Sequence, residues 1–398
     1  MNEGLVVMKK LAQLLVFLIL SAVLLSCGSR QTLHTAEIES RLRTHMDKAG
    51  IPGLAALTMR NGDIVGEYYL GTADARKNLA VSPETQFMLA SISKPVTAAS
   101  VMLLAQHGQL NLDDRADSYL PFELVHPGYP EHDITVRMLL SHTSSLSDNW
   151  DVLDSLYTLD SGGGDSPVSL KELAREYLIP GGRWYEEDSN FAEDEPGTHH
   201  EYGNINYALL GLIAETISGM PFDVLSRDEL LTPAGMSRSA WMLKDADPDN
   251  LAMPYEVNED GEARSLGHYG FATYPDGQLR STPRDYARFL ALFWNNTLFD
   301  QSTVDEFLRI QYPQVHKHQA IAWNFDEFES VLVRSFLGYK PAHTGGDPGV
   351  ATIALMDPDE QSAVIVFING YAPGFKSMKA FYLDILRTLC RQAGIRRG

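Results

Sequence analysis

The sequence predicts a mixed α/β fold: an antiparallel sheet built from both ends of the chain, helices flanking it, and a mostly helical lobe inserted between. Three observations lead there. Short apolar, β-branched runs cluster near the start (residues 53–59 and 64–70) and near the end (350–356 and 363–369). Most segments between them repeat their apolar residues at helical spacing. Strands at both termini with helices in the middle form one sheet only if the two ends meet and the middle is set aside as an insertion. This draws a sheet domain over residues 35–95 and 310–398 and an inserted helical domain over 96–309.

The elements follow in chain order. Residues 35–48 read as a helix with Ile38, Leu42 and Met46 on one side, closed by Gly50 and Pro52. The first two strands are joined through Asn61-Gly62, a tight hairpin signal because both residues tolerate the left-handed region. Val96, Ala99, Met102 and Leu103 mark a helix over 96–106, buried on one face and continuing from Ser91. Further helices are predicted at 136–140, 169–177, 205–218, 222–231, 282–294 and 303–309. The two late strands are separated by Asp357-Pro358-Asp359-Glu360, and residues 377–391 form a closing helix. There is no internal repeat, and the only low-complexity patch surrounds Gly162-Gly163-Gly164.

Composition narrows the function. At 398 residues, 44 % apolar and 21 % charged, the chain has the make-up of a folded globular protein. A formal charge of −20 with no cationic stripe argues against nucleic acid as a partner. Lys9 and Lys10 precede an apolar run over 11–25, short for a bilayer span, which reads as an export signal over residues 1–26. The run ends in Leu24-Leu25-Ser26-Cys27-Gly28, similar to a bacterial lipoprotein cleavage box. Cys27 would then carry the lipid and residues 27–34 would be a tether, giving a membrane-anchored protein of the cell envelope facing the periplasm. An ordinary signal peptide cut nearby and an uncleaved anchor are the alternatives. The other cysteine is Cys390, so no structural disulfide is expected.

Ser91-Ile92-Ser93-Lys94 carries the chemistry, because Ser-x-x-Lys sets a hydroxyl and an amine one helical turn apart on the same face. That is a nucleophile with its base. Alone, the pattern equally describes a serine capping a helix with a solvated lysine. Two further short elements, Tyr202-Gly203-Asn204 and His343-Thr344-Gly345, follow it in chain order and each occurs once. A Gly-x-Ser-x-Gly elbow is absent, which closes another route to a serine esterase. Asp245, Asp247, Asp249 and Glu256 have calcium-loop spacing, but Asn250 replaces the turn glycine and Pro248 and Pro254 interrupt the loop. His199-His200-Glu201 reads as a solvated loop rather than a metal site, since adjacent histidines point in different directions. No metal and no cofactor are expected.

With these three elements the chain resembles the serine β-lactamase and penicillin-binding superfamily, in the branch of class C β-lactamases, D,D-carboxypeptidases and related esterases. Residues 139–146, 231–236, 277–282 and 343–349 extend the likeness over nearly all of the mature chain. The resemblance implies a β-lactamase/transpeptidase-like fold, with Ser91 as acylated nucleophile, Lys94 as its partner held neutral by burial, and Tyr202 as general base with a lowered pKa. It further implies that Asn204 binds the acyl amide, that the Ser91 and Gly346 backbone N–H groups form the oxyanion hole, and that His343, Thr344 and Gly345 line the substrate on an edge strand. Three positions depart from the pattern. His343 stands where class C enzymes have lysine, Gly203 where a small polar residue or alanine is usual, and Ser145 where glycine is frequent. An imidazole at 343 is expected to titrate near 6.5.

The implied activity is an exported serine hydrolase forming an acyl-enzyme from an ester, amide or D-amino-acid peptide. A class C-type β-lactamase and a catalytically silent, peptidoglycan-sensing lipoprotein are the alternatives. The expected partners are a small-molecule or peptide substrate and, through the lipid, a membrane; a monomer is expected. Between Arg183 and Tyr202 lie Glu186, Glu187, Asp188, Glu193, Asp194, Glu195 and Glu201 with no Lys or Arg. If this segment borders the cleft, it disfavours anionic substrates.

Overall fold

The computed structural model describes residues 35–371 and 375–397. Cys27 and the apolar run before it lie outside the described residues.

Helix α1 (Thr35–Ala49) buries Ile38, Leu42, Met46 and Ala49, the stripe its periodicity predicts. Strands β1 (Gly53–Arg60) and β2 (Asp63–Asp74) form the hairpin, turning at Asn61 (φ 52°) and Gly62 (φ 83°). Both values are left-handed, as the Asn-Gly pair requires. With β3 (Leu79–Ala80), β4 (Ala342–Asp347), β5 (Val350–Asp357) and β6 (Ser362–Ile368), they make a six-stranded sheet in the order β3-β2-β1-β6-β5-β4, antiparallel throughout. The central pairing, Leu54 opposite Ile368 through Met59 opposite Ala363, is where the two ends of the chain meet.

Both faces are covered, so the strands are apolar on both sides. Leu54, Ala56, Val364 and Val366 pack against α1 and the closing helix α5 (Phe375–Ala393). Ala55, Leu57, Ile365 and Phe367 face the main core with α2 (Lys94–Gln106), α3 (Asn204–Ser218) and α4 (Pro283–Asn295). α3 is the axis of the helical region: every residue from Ile205 to Ala214 is buried.

The predicted and observed elements differ in places. The 222–231 helix is α-helical only over Phe222–Ser226 and continues as a π turn over Arg227–Leu231. Phe87–Met88 pairs with Arg280–Ser281, and Tyr255–Val257 with Ala263–Ser265; such runs are too short for a periodic signal. Ser91 does not open α2 but sits in a 3₁₀ turn, Ala90–Ser93, just ahead of it.

Candidate active site

Four segments converge on Ser91. The Phe87–Met88 strand delivers the chain to the turn, where the Leu89 N–H donates to Leu279 O (2.8 Å) and Leu89 O accepts from the Thr352 hydroxyl of β5 (2.6 Å). Ala90 then takes φ +49°, a conformation costing an L-residue about 1–2 kcal/mol. The neighbouring bonds hold it there and aim Ser91 out of the turn.

Lys94 starts α2 with no exposed surface. Its Nζ lies 3.2 Å from Ser91 Oγ, 2.6 Å from Asn204 Oδ1 and 3.1 Å from the Asp276 carbonyl oxygen. Burial pushes the amine below its ordinary value, opposed by the charges of Asp276, Asp148, Asp347 and Glu327. Asn204 Oδ1 and the carbonyl oxygen can only accept. A neutral amine meets both with its two hydrogens and turns its lone pair to Ser91 Oγ.

Tyr202 precedes α3, whose first amides are capped by Asp148: Oδ2 accepts from Asn204 N (2.8 Å) and Oδ1 from Ile205 N (3.0 Å). His142 holds Tyr202 from three directions. Its ring stacks on the phenol at 4.5 Å, its Nδ1 accepts from Gly203 N (3.1 Å), and its backbone oxygen accepts from Glu201 N (2.9 Å). The phenol ring is 43 % exposed to the cleft while its hydroxyl bonds Ser91. Desolvation drives the phenol well above 10, relieved by the Ser91 bond and reinforced by Asp276 and Glu327. The expected lowering of this pKa is therefore corrected to a rise, driven first by desolvation and then by the carboxylates of Asp276 and Glu327. A Cβ at Gly203 would lie 2.9 Å from Asn206 Nδ2, so glycine there answers to space. Ser145 holds φ +60°, the turn that glycine would take without strain.

β4 lies against the nucleophile. A Cβ at Gly345 would lie 3.0 Å from Ser91 N and 2.7 Å from Leu89 O, so only glycine allows this approach. A Cβ at Gly346 would meet nothing within 4 Å. The His343 ring is 6.1 Å from that of Tyr202, and its Nδ1 is 2.6 Å from Thr344 O. Burial, then Lys94, pushes the imidazole down to about 3, so it does not titrate near 6.5 as expected from the sequence. Thr344 donates both its N–H (2.7 Å) and its hydroxyl (2.6 Å) to Glu327 Oε1. Asp347 accepts from the Tyr157 hydroxyl at 2.7 Å.

The model of the family described as Beta-lactamase matches residues 38–387. The chain belongs to the beta-lactamase family. Among relatives, Protein flp of Staphylococcus aureus (strain COL) is 22 % identical over 339 residues, 84 % of this chain and 62 % of that protein. The chain thus spans less than two thirds of such a relative. The fold is shared with an octameric penicillin-binding protein homologue from Pyrococcus abyssi (TM-score 0.70, 24 % identity, covering 91 % of this chain and 79 % of the other). It is shared also with the D-amino acid amidase of Ochrobactrum anthropi SV3 (TM-score 0.67, 20 % identity, covering 90 % and 97 %).

Within this beta-lactamase-family fold, Ser91, Lys94, Tyr202, Asn204, His343, Thr344, Gly345 and Gly346 come together around the Ser91 turn. Several residues of the acidic segment before Tyr202 have partners of their own. Glu195 pairs with His132 (2.6 Å), Asp194 lies 3.9 Å from His199, and Glu186 and Glu201 accept from Asn149 and Ser147, which holds the segment on the helical region. Asp247 bonds Asn250 and Arg238. No group of three or more His, Cys, Asp or Glu among the described residues is placed to hold a metal ion. Sequence reasoning missed Asp148, His142, Asp276 and Glu327. His142 and Asp276 lie within or beside the segments quoted for the resemblance; Glu327 has no local signal.

Proposed function

We propose that this beta-lactamase-family protein is an exported serine hydrolase that forms an acyl-enzyme on Ser91 from an ester, amide or D-amino-acid peptide. The observation that carries the reading is the placement of the buried Lys94 Nζ 3.2 Å from Ser91 Oγ, between two acceptor-only partners, so that the amine on losing a proton turns its lone pair to the Ser91 hydroxyl. Ser91 Oγ attacks the carbonyl carbon and its proton passes to Lys94. The new oxyanion is met by the Ser91 and Gly346 amides, and the bond to the leaving group breaks. The leaving oxygen or nitrogen takes its proton from the Tyr202 hydroxyl, which is replenished from Lys94. Water then adds to the ester at Ser91 through the same groups and releases the acid. The penicillin-binding homologue and the D-amino acid amidase among the structural neighbours support this range of substrates.

A fluorophosphonate probe followed by peptide mass spectrometry tests the nucleophile, and the expected adduct is on Ser91. Turnover across ester, amide, D-amino-acid peptide and lactam substrates tests the class. An adduct elsewhere, or turnover surviving Ser91→Ala, would end the proposal. The lipid anchor is tested by fractionation: Cys27→Ala should leave the membrane fraction with its hydrolase activity intact.

A further inference from the structure

β4 is the outer strand of the sheet, and its residues alternate between bonding β5 and facing outward. Three face outward. Ala342 exchanges both backbone bonds with Asn324 (3.1 Å each), Thr344 is taken by Glu327, and Gly346 makes no outward backbone bond among the described residues. Two of the three positions at which an extended ligand could add to this edge are therefore filled by the protein's own 324–327 segment.

The filled end is the leaving-group end. Tyr202 bonds Ser91 and faces His343, so the departing atom must collect its proton on that side, and the strand runs back from Gly346 through Thr344, where Glu327 is bound, to His343. At this end an N–H and a hydroxyl converge, the donor pair that a carboxylate on a departing group would seek. An internal carboxylate already holds them. Both bonds fall on Glu327 Oε1, and among the described residues Oε2 takes no hydrogen bond. Little positive charge offsets it: His343 Nδ1, 4.0 Å away, belongs to a neutral imidazole, and Lys94, held by its own acceptors, acts on Glu327 less than burial, the Thr344 bonds and Glu329 do.

We propose that Glu327 is a specificity-determining residue that excludes substrates whose departing group carries a carboxylate and admits neutral or cationic departing groups bearing a donor for Oε2. This rests on the acyl-enzyme reading at Ser91. Penicillins and peptides ending in a free carboxylate fall in the excluded class; alkyl esters, amides and amino-alcohol esters fall in the admitted one.

The test is a matched set of esters with one acyl group and three alcohols: glycolate, glycolamide and ethanolamine. It is run at pH 8.5, above the value of about 7 to which burial pushes Glu327. The wild-type kcat/KM should favour glycolamide and ethanolamine over glycolate by roughly ten- to a hundredfold, the range for like charges several ångströms apart at an effective dielectric near 20. Glu327→Gln should collapse that ratio, and Glu327→Lys should invert it. Equal use of glycolate and glycolamide by the wild type overturns the proposal even if neither variant folds, as does a ratio unchanged in a folded Glu327→Gln protein. Turnover that survives Ser91→Ala overturns the acyl-enzyme reading instead, so the two failures are distinguishable.

Discussion

Lys94 has three acceptors around it and, as a neutral amine, two hydrogens to give, so its usefulness depends on losing a proton. Arginine cannot do this. Lys94→Arg should be as inactive as Lys94→Ala, each down by about 10³-fold or more in kcat, and combining either with Tyr202→Phe should add little further, as expected of groups that act as a unit. Single-turnover acylation rates for the two single variants and the double variants check this. His343 makes the opposite prediction. An imidazole held near 3 contributes no inflection between pH 5 and 8. The kcat/KM profiles of the wild type and His343→Gln on a neutral ester should keep the same shape, whatever the change in absolute rate. Loss of a step near 6.5 in the variant would contradict the neutral assignment.

The elements were legible in proportion to their length. α1, the Asn61-Gly62 hairpin, β5 and β6 follow from period and turn chemistry, and their ends fall within a few residues of the expected ones. The 3₁₀ turn at Ser91 was not legible, because the left-handed Ala90 is imposed by bonds to Leu279 and Thr352, residues remote in sequence. The site reads the same way. Ser91, Lys94, Tyr202 and His343 stand in short recurring patterns, whereas Glu327 matters through one side-chain contact that only the folded edge strand creates. Asp148 belongs with Glu327 in this respect. It accepts from two amides at the start of α3, one of them that of Asn204. Asp148→Ala should cost roughly 1–2 kcal/mol as a lost cap and lower turnover by displacing the Lys94 partner, while Asp148→Asn should recover part of both. Thermal melting and kcat measured on the same samples test this.

Across the whole molecule, buried acids and buried bases act on stability in opposite directions. His200 and His268, pushed to about 4, and His343, pushed to about 3, are neutral when folded; each supplies stability that is full above 6.5 and is lost as pH falls towards those values. Glu327 and Asp276, pushed up to about 7, and Asp347, up to about 6, hold protons in the folded state below those values; each supplies stability that is full below the ordinary carboxylate range and lost as pH rises through those values. Between pH 5 and 6.5 the two sets offset. Removing one acid unbalances them, so Glu327→Gln should show unfolding free energy rising more steeply with pH than the wild type, by about 1.4 kcal/mol per pH unit, one proton's worth. Parallel urea titrations at pH 5.0, 5.5 and 6.0 measure it, and parallel slopes would show that Glu327 is ionised throughout.

The pairing of Leu54 with Ile368 has a consequence for the order of events during synthesis. β1 (Gly53–Arg60) emerges long before its inner neighbour, β6 (Ser362–Ile368), at about 5–20 residues per second of translation. For most of its birth the chain therefore carries a half-finished sheet with one open side, and no partial product can close it. Until β5 and β6 arrive, β1 keeps an unpaired edge, the form most exposed to edge-to-edge association. The edge strand that lies against Ser91 can therefore join β1 only through β5 and β6.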